Sequence, residues 1–156
     1  MLSFRQALVV VPGVMFAVGA CDAIGSPVPL QVSVAARPDM LAPRDTTRID
    51  VTIRNISPRA VTFNSNCTIS FQVRAVGDTT DVANPGPIFC LAFIEAVTLA
   101  PFESYTSRFQ WNAMQRSCEG TTCVLLPVPP GDYRLTGSLY HEGDGLRSPA
   151  VRLTIR

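Results

Sequence analysis

Lysine is missing from the 156 residues, histidine occurs once, and 13 arginines stand against 12 acidic residues for a formal net charge of +1. The missing lysine is a compositional bias and carries no functional weight. The near-neutral balance removes any electrostatic case for nucleic acid or for an anionic membrane surface as a partner. His141 stands beside a turn-forming HEGDG stretch with Glu142 and Asp144, the setting of a solvated residue rather than of a base or ligand. No serine lies in a G-x-S-x-G context, no glycine-rich phosphate loop is present, and no motif places two carboxylates together. Asp78 and Asp81 flank a turn with too few oxygen ligands nearby to hold Ca²⁺. These absences predict a non-enzymatic chain with no catalytic residue, no cofactor and no metal site.

What is present begins with a leader. Arg5, an apolar run over residues 7–18 and the small residues Gly19 and Ala20 form the pattern of an export signal. The run is too short to span a bilayer and Pro12-Gly13 interrupts it. Val18-Gly19-Ala20-Cys21 resembles a bacterial lipobox, so residues 1–20 are expected to be a lipoprotein signal peptide and Cys21 the lipid-bearing first residue of the mature chain. The alternative is an ordinary secretory leader cleaved near Ala20. Acyl chains contribute about 0.8 kcal/mol per buried CH₂, enough for several of them to hold the chain at a membrane. The expected location is therefore exported and lipid-anchored in the cell envelope. Residues 21–29, small and proline-containing, read as a tether, and residues 30–156 as one domain.

From Leu30 onward the chain alternates. Leu30, Val32 and Val34 open a first strand that Pro38 and Pro43 close. Ile49, Val51 and Ile53 then alternate with Arg48, Asp50, Thr52 and Arg54, a half-buried strand whose polar side reads as charge-balanced. Asn55-Ile56-Ser57-Pro58 resembles a turn, and Val61 and Phe63 continue the period, so residues 46–64 predict a hairpin that seeds the fold. Ile69, Phe71 and Val73 follow, then a Gly77-Asp78 turn. Residues 88–97 form the least polar segment, consistent with a strand buried on both faces. Tyr105, Phe109 and Trp111 alternate with Thr106, Arg108 and Gln110. Tyr133, Leu135 and Leu139 come before the Asp-Gly hairpin signal in HEGDG, and Val151, Leu153 and Ile155 end the chain. About seven to eight short strands without a helical period predict an all-β, single antiparallel immunoglobulin-like β-sandwich preceded by a signal peptide. Tyr133, after Gly131-Asp132, sits where such domains place a tyrosine corner; a half-buried edge aromatic is the other reading.

With Cys21 assigned to lipid, Cys67, Cys90, Cys118 and Cys123 remain, an even number in an exported chain. Four cysteines allow three pairings. Cys118 and Cys123 enclose four residues and form the expected local bridge, which leaves Cys67 with Cys90. A closed loop of that length stabilises by about 3 kcal/mol in the chain-entropy account. A four-cysteine zinc site is the competing reading, but the spacings lack paired C-x-x-C knuckles.

The order of elements resembles the BsuPI-type intracellular proteinase inhibitor domain family, an immunoglobulin-like sandwich. The similar pieces are the strand VTIRN ending on Asn55 with Val61-Thr62-Phe63 after it, Phe71-Gln72-Val73 with the Gly77 turn, Leu99-Ala100-Pro101 before the strand ending in Trp111, and Pro130-Gly131-Asp132-Tyr133. The resemblance covers residues 41–156 and implies the fold and, with it, proteinase inhibition. Two features depart from that family, whose naming member is cytoplasmic: the export leader and the four cysteines. The segment 112–130, with Met114, Arg116 and Leu125 flanking the Cys118–Cys123 pair, is the candidate binding loop; a braced loop loses little entropy on docking, and Arg116 suits a trypsin-like pocket. The alternative is a surface loop stapled for stability. Two functions follow as expectations. One is a membrane-anchored binding module for an unidentified protein partner, a protease among the candidates; the other is a structural or accessory part of an envelope assembly.

Overall fold

The computed structural model describes residues 29–65, 68–83, 95–141 and 143–156. Thirteen strands lie among them: β1 (Leu30–Arg37), β2 (Met40–Leu41), β3 (Thr47–Asn55), β4 (Val61–Asn64), β5 (Ile69–Ala75), β6 (Asp81–Ala83), β7 (Ala96–Leu99), β8 (Ser104–Trp111), β9 (Met114–Glu119), β10 (Thr122–Pro127), β11 (Gly131–His141), β12 (Asp144–Arg147) and β13 (Val151–Ile155). The strands expected around residues 30–34, 48–54, 61–64, 69–75, 105–111, 133–139 and 151–155 are β1, β3, β4, β5, β8, β11 and β13. The surplus comes from β9 and β10, in a segment expected to be a loop, and from short pieces such as β2, β6 and β12, too brief to show an alternation in sequence.

Two sheets form the sandwich. One has the order β1-β3-β8; the other runs β2-β13-β11-β5-β6, with β12 also paired to β11. Pairings within both are antiparallel except that β2 lies parallel to β13. In chain order, β1, β3 and β8 take the places of strands A, B and E of an immunoglobulin-like domain, and β5, β11 and β13 those of C, F and G. Tyr133 near the start of β11 completes the pattern: its hydroxyl donates to the Pro129 carbonyl at 2.5 Å, a tyrosine corner. The chain is an all-β immunoglobulin-like sandwich.

The hairpin expected over residues 46–64 does not form. β3 pairs with β1 and β8 along its whole length, while β4 pairs with β7 in a separate two-stranded ribbon. Alternation says which face of a strand is apolar but not which strand lies beside it. What parts β3 from β4 is Asn55, which is fully buried at the end of β3. Its Nδ2 donates to the carbonyls of Arg59, Leu99 and Ala100 at 2.6, 3.3 and 3.0 Å, and its Oδ1 accepts from Ser57 N and Oγ at 2.9 and 2.8 Å. One side chain thus shapes the turn and fixes it to the segment before β8.

The apolar faces meet as the period-2 pattern requires. Ile49, Val51 and Ile53 are fully buried, each contributing about 1.5–3 kcal/mol relative to exposure. Opposite them lie Phe71, Val73, Tyr133, Leu135, Leu139 and Leu153. Phe71 meets Phe109 edge-on across the sandwich, centroids 5.3 Å apart. The sheets lie close together at Gly137 on β11, where a Cβ would come within 3.0 Å of Val51 Cγ1 and 3.2 Å of Val34 Cβ. Gly137 is followed on its other edge by Ser148, whose Oγ accepts from Gly137 N at 2.9 Å and so carries the ladder on past β12.

The outer face of the smaller sheet is less balanced than β3 alone suggests. The register sets Arg37 beside Arg48 and Arg108 beside Asp50, so four arginines, with Arg54, share that face with one carboxylate. Asp50 Oδ1 lies 3.2 Å from Arg48 Nε. The HEGDG hairpin forms one step earlier than its Asp-Gly pair: His141 is the partner of Asp144, and Gly143 has a φ of 90°.

Candidate functional site

The segment expected to be a loop over residues 112–130 is a two-stranded arm. β9 and β10 pair in strict register from Met114 opposite Pro127 to Glu119 opposite Thr122, leaving Gly120 and Thr121 as the turn. Gly120 is the first central residue, with φ 59°, a conformation open to glycine without a Cβ penalty. Sequence reasoning missed the strands because β10 is exposed over most of its length, and a strand with no buried face shows no apolar alternation.

Cys118 and Cys123 are direct cross-strand partners, and a disulfide joins them as expected, with Cα atoms 4.0 Å apart. The bridge closes the arm beside its turn. At its base, Trp111 Nε1 donates to the Met114 carbonyl at 3.0 Å and Val128 N to the Ala113 carbonyl at 2.9 Å. Ala113, at φ 52°, and Val128 are both buried, so the arm is anchored in the core at one end and bridged at the other. Nothing in the sequence apart from the symmetric placing of the two cysteines signals this.

The three residues singled out for binding come together. Arg116 and Leu125 are cross-strand partners, and with Met114 they line a groove of about 490 Å³ whose floor includes Phe71, Phe109 and Trp111. Val82 and Ala83 of β6 form the facing wall. The outer strand of the arm leaves Val124, Leu125 and Leu126 at 51, 64 and 44 % exposure, three consecutive apolar residues in water. Leaving so much apolar surface in contact with solvent is unfavourable unless something covers it.

Cys21, Cys67 and Cys90 lie outside the described residues, as do the leader and most of the apolar segment 88–97. The bridge expected between Cys67 and Cys90 therefore has no geometry here. Among the described residues, no cluster of three or more metal-ligating side chains occurs.

The geometry defines an immunoglobulin-like sandwich that carries a disulfide-closed arm between its E- and F-type strands. No family model matches the chain, and no curated protein does. Similar solved structures include a β-glucosidase from Erythrobacter marinus, 19% identical over 81% of this chain and 15% of that one, with a TM-score of 0.49. The alkylpurine DNA glycosylase AlkC of Pseudomonas fluorescens is 13% identical over 85% of this chain and 32% of its own, TM-score 0.48. A CARDB domain from Pyrococcus furiosus is 15% identical over 81% of this chain and 87% of its own, TM-score 0.42. The chain thus spans only about a sixth of the glucosidase and a third of the glycosylase.

Proposed function

We propose that the chain is a non-enzymatic binding module of the bacterial cell envelope, held at a membrane by lipidated Cys21, that engages a protein partner through the β9–β10 arm. The observation that carries the reading is the arm itself. A bridged, anchored hairpin presents Val124, Leu125 and Leu126 to solvent beside an aromatic-floored groove. A partner that covers these side chains gains their burial, and the bridge has already removed much of the arm's conformational freedom, so little ordering entropy opposes docking. The resemblance to the BsuPI-type inhibitor family makes a protease the first partner to try, with Arg116 entering a pocket that prefers a basic residue.

The soluble domain, titrated against a panel of serine proteases, is expected to form a stable complex with a trypsin-like member and to lose it in Arg116→Ala. Cleavage without a complex, or no inhibition across the panel, removes the inhibitor role. The accessory role in an envelope assembly rests on the same exposed surface. Crosslinking from Leu125 in native membranes separates the two: one constant, non-protease neighbour points to assembly.

A further inference from the structure

The outer face of the larger sheet carries a row of arginines that the fold neutralises only in part. Arg134 on β11 lies directly opposite Arg74 on β5 and Arg152 on β13. Like charges set opposite each other on one sheet face repel. The two flanking guanidiniums each have a carboxylate. Arg74 Nε pairs with Asp81, and Arg152 gives Nε and Nη2 to the two oxygens of Asp132 at 3.1 and 2.8 Å. Arg134, between them, has no carboxylate partner among the described residues.

Next to Arg134 the sheet surface opens into a depression of about 230 Å³, lined by Gln72, Arg74, Asp78, Arg134, Thr136 and Arg147. Thr136 stands two residues along β11 from Arg134, on the same face, and its hydroxyl makes no hydrogen bond among the described residues. Gln72 Nε2 is already committed to Asp81 at 3.0 Å. Asp78 is the one carboxylate of the lining; Thr80 N donates to it at 2.9 Å, and bonds from the backbone and hydroxyl of Thr80 hold its pKa below the usual value. Among the described residues Arg147, like Arg134, has no carboxylate partner, so the depression offers two unpaired guanidiniums and the Thr136 hydroxyl, with one ionised acceptor at the side.

We propose that this depression binds a phosphate ester of a polyol, its phosphate taken by Arg134, Arg147 and the Thr136 hydroxyl and a neighbouring ligand hydroxyl donating to Asp78. Guanidiniums approaching from two strands suit a tetrahedral anion with oxygens on several sides, whereas a planar carboxylate fills one fork and leaves the other empty. Asp78 would repel a second negative charge and accept from a hydroxyl. A free glycerol phosphate and a glycerophospholipid headgroup share this chemistry. The near-neutral charge of the whole chain does not oppose it, because the attraction arises from one local row.

The test is ¹⁵N NMR on the full chain in phosphatidylcholine nanodiscs at low salt, with glycerol phosphate as the added probe. Saturable shifts are expected at Thr136 and at the Arg134 and Arg147 Nε groups, with a Kd on the order of millimolar, weakened about tenfold in Arg134→Gln and in Arg147→Gln. Both substituted side chains are exposed, so the fold is retained and the unchanged remainder of the spectrum verifies it. Methyl phosphate, which lacks the neighbouring hydroxyl, is expected to bind more weakly. The same shifts appearing in phosphatidylglycerol nanodiscs without added probe would assign the lipid headgroup as the source; their appearance only on adding glycerol phosphate would assign the soluble ester. No shift in either arm, equal binding by the Gln variants, or methyl phosphate binding as tightly as glycerol phosphate would overturn the proposal.

Discussion

Replacing Asn55 by alanine would test whether one buried amide separates β3 from β4. Asn55 is fully buried, its Nδ2 serves the carbonyls of Arg59, Leu99 and Ala100, and its Oδ1 receives two bonds from Ser57. Alanine leaves these partners without the amide in a site where water has little access. At about 1 kcal/mol for each buried group left unsatisfied, and with the most exposed of them rescued by solvent, the loss comes to about 3 kcal/mol. With an m-value of about 2 kcal/mol/M, the urea midpoint should fall by about 1.5 M. Asn55→Asp sharpens the test. It keeps the size and the Oδ1 acceptor but turns a carboxylate toward three carbonyls, which disfavours the ionised form and raises the folded-state pKa of the new group. A raised folded pKa contributes stability that is present at low pH and lost as pH rises through it, so the aspartate variant should suffer more near neutral pH than in the acid range, relative to the parent. A loss below about 1 kcal/mol for the alanine variant, or an aspartate variant equally affected at both pH values, would refute the reasoning.

Three further outcomes follow from the described geometry. Gly137→Ala sets a methyl 3.0 Å from Val51 Cγ1 and 3.2 Å from Val34 Cβ and should cost about 1–3 kcal/mol in urea unfolding; combined with Val51→Ala, the total should fall short of the sum of the two single changes. Tyr133→Phe removes the bond to the Pro129 carbonyl and should cost about 1 kcal/mol, while in the parent the Tyr133 phenol, raised by burial, should ionise above its ordinary value of 10.0 in an ultraviolet titration. The Asp132 carboxyl is held below its ordinary 3.8 by the Thr154 hydroxyl and by Arg152, so its contribution is present above the carboxylate range and lost as pH falls through the folded value. Asp132→Asn should accordingly be less stable than the parent near neutral pH, with the two unfolding curves converging in acid.

Much of the fold was legible from alternation. The apolar sets Ile49-Val51-Ile53, Ile69-Phe71-Val73, Tyr133-Leu135-Leu139 and Leu153-Ile155 all face the core as their spacing requires. Strand neighbours were not legible, and β3 shows why: its pattern is satisfied equally by β4, β1 or β8. Of the candidate site, Met114, Arg116, Leu125 and the Cys118–Cys123 bridge were visible, but the arm was not, because exposed strands leave no period. The arginine row was invisible for a related reason. Arg74, Arg134 and Arg152 each occupy an ordinary outward position, and only the register of three strands distant in sequence makes them neighbours.

The sequence by itself determined the all-β class, since the period of two in most of the longer strands between residues 30 and 156 calls for sheets with one covered face. It also marked the local disulfide, which joins residues close together along the chain, and left Tyr133 open between a tyrosine corner and an edge aromatic until its bond to the Pro129 carbonyl decided it. The tertiary structure alone decided the pairing order, the projection of β9 and β10 from the sandwich, and the charge that each sheet face presents. Those properties arise from contacts between strands tens of residues apart, whose selection rests on buried specifics such as the amide of Asn55 and the missing side chain of Gly137.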